Sequence, residues 1–255
     1  MKRKAQVTIW IIVAVLIAAS ILIFFAIKER QGTEISQPST ADPQAYIEKC
    51  MRDASSEAIN IMLPQAGYIS PENYKLYENN KVAYLCYNKN YYYSCVNQQP
   101  NYLNFLENEI RDYIEPKMKD CFYNLKQEYL DKKYSVNEGV MFIDVKIVPK
   151  QVNIEIENEF EVSKQEETRR YDEFKARLNS PLFELANVAR EIVNQEAKYC
   201  NFEYLGYMLF YPMFNIDKKS VGSAETASKI YMIADRNTDK RLYIAIRSCA
   251  IPPGF

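Results

Sequence analysis

Residues 141–162 read MFIDVKIVPKQVNIEIENEFEV. Met141, Ile143, Val145 and Ile147 alternate with Phe142, Asp144 and Lys146, and Pro149-Lys150 turns the chain. Val152, Ile154, Ile156, Phe160 and Val162 then alternate with Asn153, Glu155, Glu157, Glu159 and Glu161. A period of two is the mark of a strand with one apolar and one solvated face, so this stretch is an amphipathic antiparallel hairpin. A third strand is expected over Thr168–Leu178. Four glutamates on one face repel, and Arg169, Lys175 and Arg177 share a parity on that next strand. An ion-pair ladder is therefore expected here, in preference to a strip that binds cations.

Upstream the period is helical. Asp42-Pro43 suits a helix start, and Ile47, Cys50, Met51, Ala54, Ala58, Ile61 and Met62 follow on one face. Pro64 ends that helix, and Gln65-Ala66-Gly67 turns the chain. Residues 68–80 read as irregular. Val82–Tyr87 and Tyr91–Val96 read as short strands around Asn88-Lys89-Asn90. Leu103, Leu106, Ile110, Tyr113, Ile114, Met118, Cys121 and Leu125 form a second helical stripe, in which Pro116 is expected to cause a kink or a break.

Downstream, Ser180 as N-cap and Pro181 at the first position open a further helix. Its face of Leu182, Leu185, Ala186, Ala189, Ile192 and Val193 is expected to pack on the apolar side of the sheet. FEYLGYMLFYPMF, residues 202–214, is densely aromatic and is expected to be core, with membrane docking or partner contact as the lesser alternative. Strands over Ile230–Ala234 and Leu242–Ile246 flank the turn Asp235-Arg236-Asn237-Thr238-Asp239. Asp235, Asn237 and Asp239 match the first half of a calcium loop. Lys240 stands where that loop needs Gly and Ile246 where it needs Glu, so a plain turn is expected.

The fold class that follows is α+β: a helical part with a β-hairpin, then a mainly antiparallel sheet with a packed helix. Ahead of it lies VTIWIIVAVLIAASILIFFAI, residues 7–27, without a charge, Pro or Gly. At about 1.5 Å per residue it forms a helix of about 30 Å, enough to span a bilayer. Lys2, Arg3 and Lys4 precede it, which keeps the N-terminus cytoplasmic. Its length favours a retained anchor over a cleaved signal. The expected organisation is a basic leader at 1–6, a transmembrane helix at 7–27, a linker at 28–43, a helical subdomain at 44–130 and an α+β subdomain at 131–255. Gly32, Pro38 and Pro43 interrupt the linker.

Composition excludes several functions. The chain has no histidine, which removes Ser-His and Cys-His catalysis and His-ligated zinc. With 6 glycines it has no Gly-rich phosphate loop. No cofactor or metal motif is present. Setting aside Lys2, Arg3, Lys4, Lys28, Glu29 and Arg30 leaves 27 basic against 32 acidic residues, which argues against nucleic acid as a partner. The expected partners are the membrane, through the N-terminal helix, and proteins at the cell surface.

All six cysteines follow the apolar run, and an even number on the outer side reads as disulfides. Six cysteines allow 15 connectivities, and the sequence alone does not fix which forms. A pairing of Cys86 with Cys95 across the short hairpin is the first candidate, and one of Cys50 with Cys121 the second, with two unpaired buried thiols as its alternative. Cys50 and Cys121 lie on the apolar faces of two helices. Cys200 and Cys249 flank the last unit and remain as the third candidate pair. Tyr91-Tyr92-Tyr93, beside the hairpin disulfide, is a candidate contact patch, because tyrosine offers area at little entropic cost. The alternative is that these rings alternate across a strand.

Lys2-Arg3-Lys4-Ala5-Gln6-Val7-Thr8-Ile9-Trp10 resembles the class III signal of archaeal pilin-like proteins. That resemblance implies cleavage after Ala5, although Trp10 stands where those proteins commonly carry Glu. Tyr46-Ile47-x-x-Cys50, Gln65-x-Gly67-Tyr68-Ile69, Tyr113-Ile114 ahead of Cys121 and Arg247-Ser248-Cys249-x-x-Pro252-Pro253 resemble single-pass surface proteins of small-genome archaea. That group implies a topology and no activity. Three functions are thus expected in order: a non-enzymatic surface or envelope protein that binds or organises other components, a pilin-like filament subunit, and a membrane-tethered hydrolase using acidic residues. No spacing singles out catalytic residues.

Overall fold

The computed structural model describes residues 42–90, 92–223 and 227–249. The leader, the apolar run at 7–27, most of the linker and Tyr91 lie outside them. Among the described residues no helix is long and apolar enough to cross a membrane.

The long hairpin forms as its period dictates. Strands β5 (Phe142–Val148) and β6 (Gln151–Lys164) pair in antiparallel register around Pro149-Lys150, and β7 (Glu167–Asn179) pairs along the other side of β6. A short strand not foreseen, β4 (Ser135–Glu138), pairs with the distal half of β6. The apolar face of this sheet carries Val152, Ile154, Ile156, Phe160 and Phe174, all buried.

Helices α1 (Pro43–Met62) and α2 (Tyr102–Asp131) pack on one another, and both reach this sheet. On α2 the buried stripe Leu106, Ile110, Ile114, Met118, Phe122, Leu125, Tyr129 recurs every three or four residues. Phe122 meets Phe160 and Phe174 at ring-centroid distances of 6.0 and 5.2 Å. The expected break at Pro116 does not occur, and α2 runs on for 30 residues. Pro116 and Asp112, whose carbonyl loses its partner, are both exposed, so water can satisfy that carbonyl and the helix continues.

After α1, a 3-10 turn (Leu63–Gln65) leads to Ala66 at φ 58° and Gly67 at φ 83°. A Cβ at Gly67 would stand 2.2 Å from Leu106 Cδ2. Backbone conformation and close approach of α2 both require glycine there.

The second sheet runs β1 (Tyr74–Tyr77), β2 (Asn80–Tyr87), β10 (Arg241–Arg247), β9 (Ser228–Asp235) and β8 (Phe214–Val221), with β3 (Val96–Asn97) on the end of β2. Pairing is antiparallel except for β2 with β10, which is parallel. The described residues from 43 onward form one unit, and its core is continuous across residue 131, because β2 sits in one sheet with β8–β10. Three expectations are corrected here. Tyr74–Tyr77, read as irregular, pairs with the start of β2. The strand expected from residue 91 shrinks to Val96–Asn97, because the disulfide loop occupies the residues before it. Helix α3 (Leu182–Tyr199) touches the first sheet through β5 and β6, but it also lies across β2, β9 and β10 of the second. The helix starts one residue later than expected: Pro181 is its N-cap and carries no side-chain cap bond, while Ser180, expected in that place, accepts the Leu182 N–H at 3.3 Å from just outside the helix.

All three cysteine pairs form. Cys50–Cys121 joins α1 to α2, Cys86–Cys95 closes the loop after β2, and Cys200–Cys249 ties the end of α3 to the end of β10, at Cα separations of 6.6, 5.3 and 5.5 Å. No cysteine is free.

Candidate binding cleft

Between α3 and β8 the aromatic stretch folds as a short helix, α4 (Tyr204–Phe210). The stretch is expected to be core, and only part of it is: Phe202 and Phe214 are buried, whereas no residue of α4 is fully buried. Tyr204, Tyr207 and Met208 turn inward, and the Met208 sulfur accepts the Ile216 N–H at 3.1 Å. Leu205, Leu209 and Phe210 turn outward and are 59, 83 and 83 % exposed. The reason is that inner and outer positions of this helix are both apolar, and one helix buries only one side. Composition alone therefore suggested burial.

The chain just after α4, from Tyr211 to Phe214, lines a cleft of about 940 Å³. Four separate segments wall it: the β5–β6 turn with Pro149 and Lys150, the start of α3 with Pro181 and Glu184, the chain from Tyr211 to Phe214, and the β9–β10 turn with Asp235 and Thr238. Glu184 Oε1 accepts the Lys150 N–H at 3.0 Å. Its Oε2 is out of solvent and has no hydrogen-bond partner. The Asp235 carboxylate accepts from Asn237 N at 2.9 Å and Thr238 Oγ1 at 3.3 Å, both within its own turn. That is the expected Asp/Asn turn.

A second polar cluster lies inside the fold. Glu196 on α3 is fully buried. Its Oε2 receives Lys229 Nζ at 2.6 Å, and its Oε1 accepts the Tyr231 hydroxyl. Lys229 also donates to the Cys200 carbonyl at 2.6 Å. Lys218 Nζ donates to Asn201 Oδ1 at 2.8 Å and stands over the Tyr231 ring. Burial, then the neighbouring Lys229, lowers the Lys218 pKa. Burial and then Glu196 raise that of Tyr231 far above the ordinary tyrosine range, and burial does the same for Tyr102, whose hydroxyl donates to the Ala66 carbonyl. Both phenols stay protonated in the folded protein, while in the unfolded chain they ionise near pH ~10. Their contribution to stability is complete below that pH and is lost as pH rises above about 10. Stability should fall through that window, less steeply in Tyr231→Phe, and tyrosinate absorbance should show these two rings titrating only on unfolding.

The glutamate face of β6 is a ladder, with one difference in partners. Lys175 lies 3.5 Å from Glu155 as expected, but Arg170, not Arg169, reaches Glu159 at 2.8 Å. A bulge between Glu157 and Phe160 adds one residue to β6 and shifts the parity of β7. Arg169 pairs with Glu167 instead, and Arg177 gives its carbonyl to Arg52. Of the tyrosine triplet, Tyr92 and Tyr93 are 56 and 57 % exposed with rings 4.7 Å apart, and Tyr93 O accepts from Cys249 N. They lie outside any strand, so the reading in which the rings alternate across a strand does not apply to these two.

No family model, curated protein or solved structure matches this chain. Geometry and chemistry alone therefore carry the functional reading. Sequence reasoning found the disulfides and the ladder. It missed the cleft, because its walls come from four turns distant in sequence, and it missed Glu196, whose position on the apolar stripe of α3 was the one available signal.

Proposed function

We propose that this protein is a non-enzymatic extracytoplasmic binding domain, held to a membrane by residues 7–27. One observation carries the reading: all six cysteines are paired, and all follow the apolar run. Disulfides persist in oxidising compartments and are rare in the cytosol. The basic residues ahead of the run agree with a cytoplasmic N-terminus. An exposed apolar helix is the kind of surface that marks an interaction site.

The test is the intact mass of the protein from its native membrane, with free thiols alkylated before any reduction. A full-length chain without alkylation is expected. Six alkylated thiols would overturn the extracytoplasmic placement. Loss of Met1–Ala5 would favour the pilin-like subunit that the leader resembles.

A further inference from the structure

The second sheet buries side chains on both of its faces. One face packs on α3 and on the 3-10 turn after α1. The other carries a separate cluster of Val82 and Tyr84 on β2, Ile230 on β9 and Ala245 on β10. Every apolar side chain in or against that cluster comes from a strand of the same sheet, so among the described residues no helix adds one. An antiparallel sheet open to water on one side carries polar residues there. This face carries apolar ones, and Val82, Ile230 and Ala245 have no exposed surface. Tyr84 is 7 % exposed. Side chains stand roughly perpendicular to a sheet. Neighbours on the face therefore screen a small residue such as Ala245, but they stand beside a ring as tall as that of Tyr84 and not above it. Its burial calls for a cover that the sheet itself does not supply.

The face is aromatic. The Tyr84 and Tyr87 rings lie 5.1 Å apart, Tyr77 and Tyr243 meet edge to face at 6.4 Å, and Arg247 stands over Tyr87 at 5.5 Å. Proline-rich segments dock on aromatic walls, and they order at low entropic cost because each proline fixes its own φ. The chain brings such a segment to this place. Strand β10 ends at Arg247, opposite Tyr87, and the Cys200–Cys249 bond holds the chain just beyond. Ala250-Ile251-Pro252-Pro253-Gly254-Phe255 follows. Six residues at about 3.3 Å each span about 20 Å, as do the six steps from Cys249 back along β10 to Tyr243.

We propose that residues 250–255 lie as a strap across the outer face of the second sheet. Pro252 and Pro253 pack on the rings of Tyr84 and Tyr87, and Phe255 adds its ring beside Tyr243. The face is thereby a site for a proline-rich segment, and the protein fills it with its own. This goes beyond the reading of the protein as an extracytoplasmic binding domain and does not depend on it.

Nitration of tyrosines by tetranitromethane, followed residue by residue by mass spectrometry on the full-length oxidised protein in lipid nanodiscs, tests the proposal. A variant ending at Ala250 should nitrate Tyr84 and Tyr243 at least fivefold faster than the parent. Pro252→Ser/Pro253→Ser keeps the chain length and every described residue, and it should nitrate both at least threefold faster. Tyr123, exposed on α2, should react at one rate in all three proteins. Equal rates at Tyr84 and Tyr243 in the parent and both variants would overturn the proposal, since something other than residues 250–255 would then cover the face. Protection in the parent that is lost on dilution would overturn it as well, because a second copy of the chain would then be the cover.

Discussion

Lys229→Met should destabilise the protein by about 3–5 kcal/mol, because it strands a buried carboxylate. Glu196 has no exposed surface, and Lys229 Nζ lies 2.6 Å from its Oε2. The Lys229 side chain is itself only 18 % exposed, so water screens the pair little. With the ammonium gone, Glu196 keeps the Tyr231 hydroxyl as its remaining side-chain donor, and the Cys200 carbonyl loses its lysine bond as well. The double variant Glu196→Leu/Lys229→Met should recover most of the loss, because an apolar pair of similar volume avoids the desolvation cost that the ion pair had to offset. Urea melts of the parent, both single variants and the double variant close the cycle. Equal stabilities of Lys229→Met and the parent would show that Glu196 is not held as a buried carboxylate.

That cluster also marks where reading the sequence stops. Periodicity placed the long hairpin and the helical stripes, because each is a local pattern whose apolar face has to be buried somewhere. It did not place Glu196 beside Lys229, since one residue sits on a helix and the other on a strand, and a charge on an apolar stripe does not say which residue pairs with it. The parallel pairing of β2 with β10, Tyr84 opposite Ala245, was equally hidden: no local rule links strands so far apart in the chain. A single added residue in β6 exchanged Arg169 for Arg170 as the partner of Glu159. In 202–214 the composition was legible but its direction was not, because apolar residues on both sides of a short helix leave open which side faces the core. The cleft shares this origin, since four turns build it and each is unremarkable alone.

The cysteine pairs were legible for a different reason: a covalent bond needs only that two positions share a packed face. Their energetic ranking also follows from chain length. Replacing Cys50 and Cys121 together by Ala should cost about 4 kcal/mol, and replacing Cys86 and Cys95 about 3, because a longer loop regains more freedom in the unfolded chain. The loops span 71 and 9 residues respectively. Geometry in the folded state points the same way. Cys50–Cys121 ties two helices whose other contacts at that face include the exposed pair Lys117–Glu57 at 2.9 Å, and Cys86–Cys95 ties a loop to the strand beside it. At about 2–4 °C per kcal/mol for a domain of this size, loss of the long link should lower the midpoint by about 8–16 °C. Thermal melts of each paired Ala variant, with the parent melted under reducing conditions, give the order. If the short-loop variant proved the less stable, the unfolded chain would have to retain local structure around residues 86–95, and loop entropy would not be what these bonds contribute.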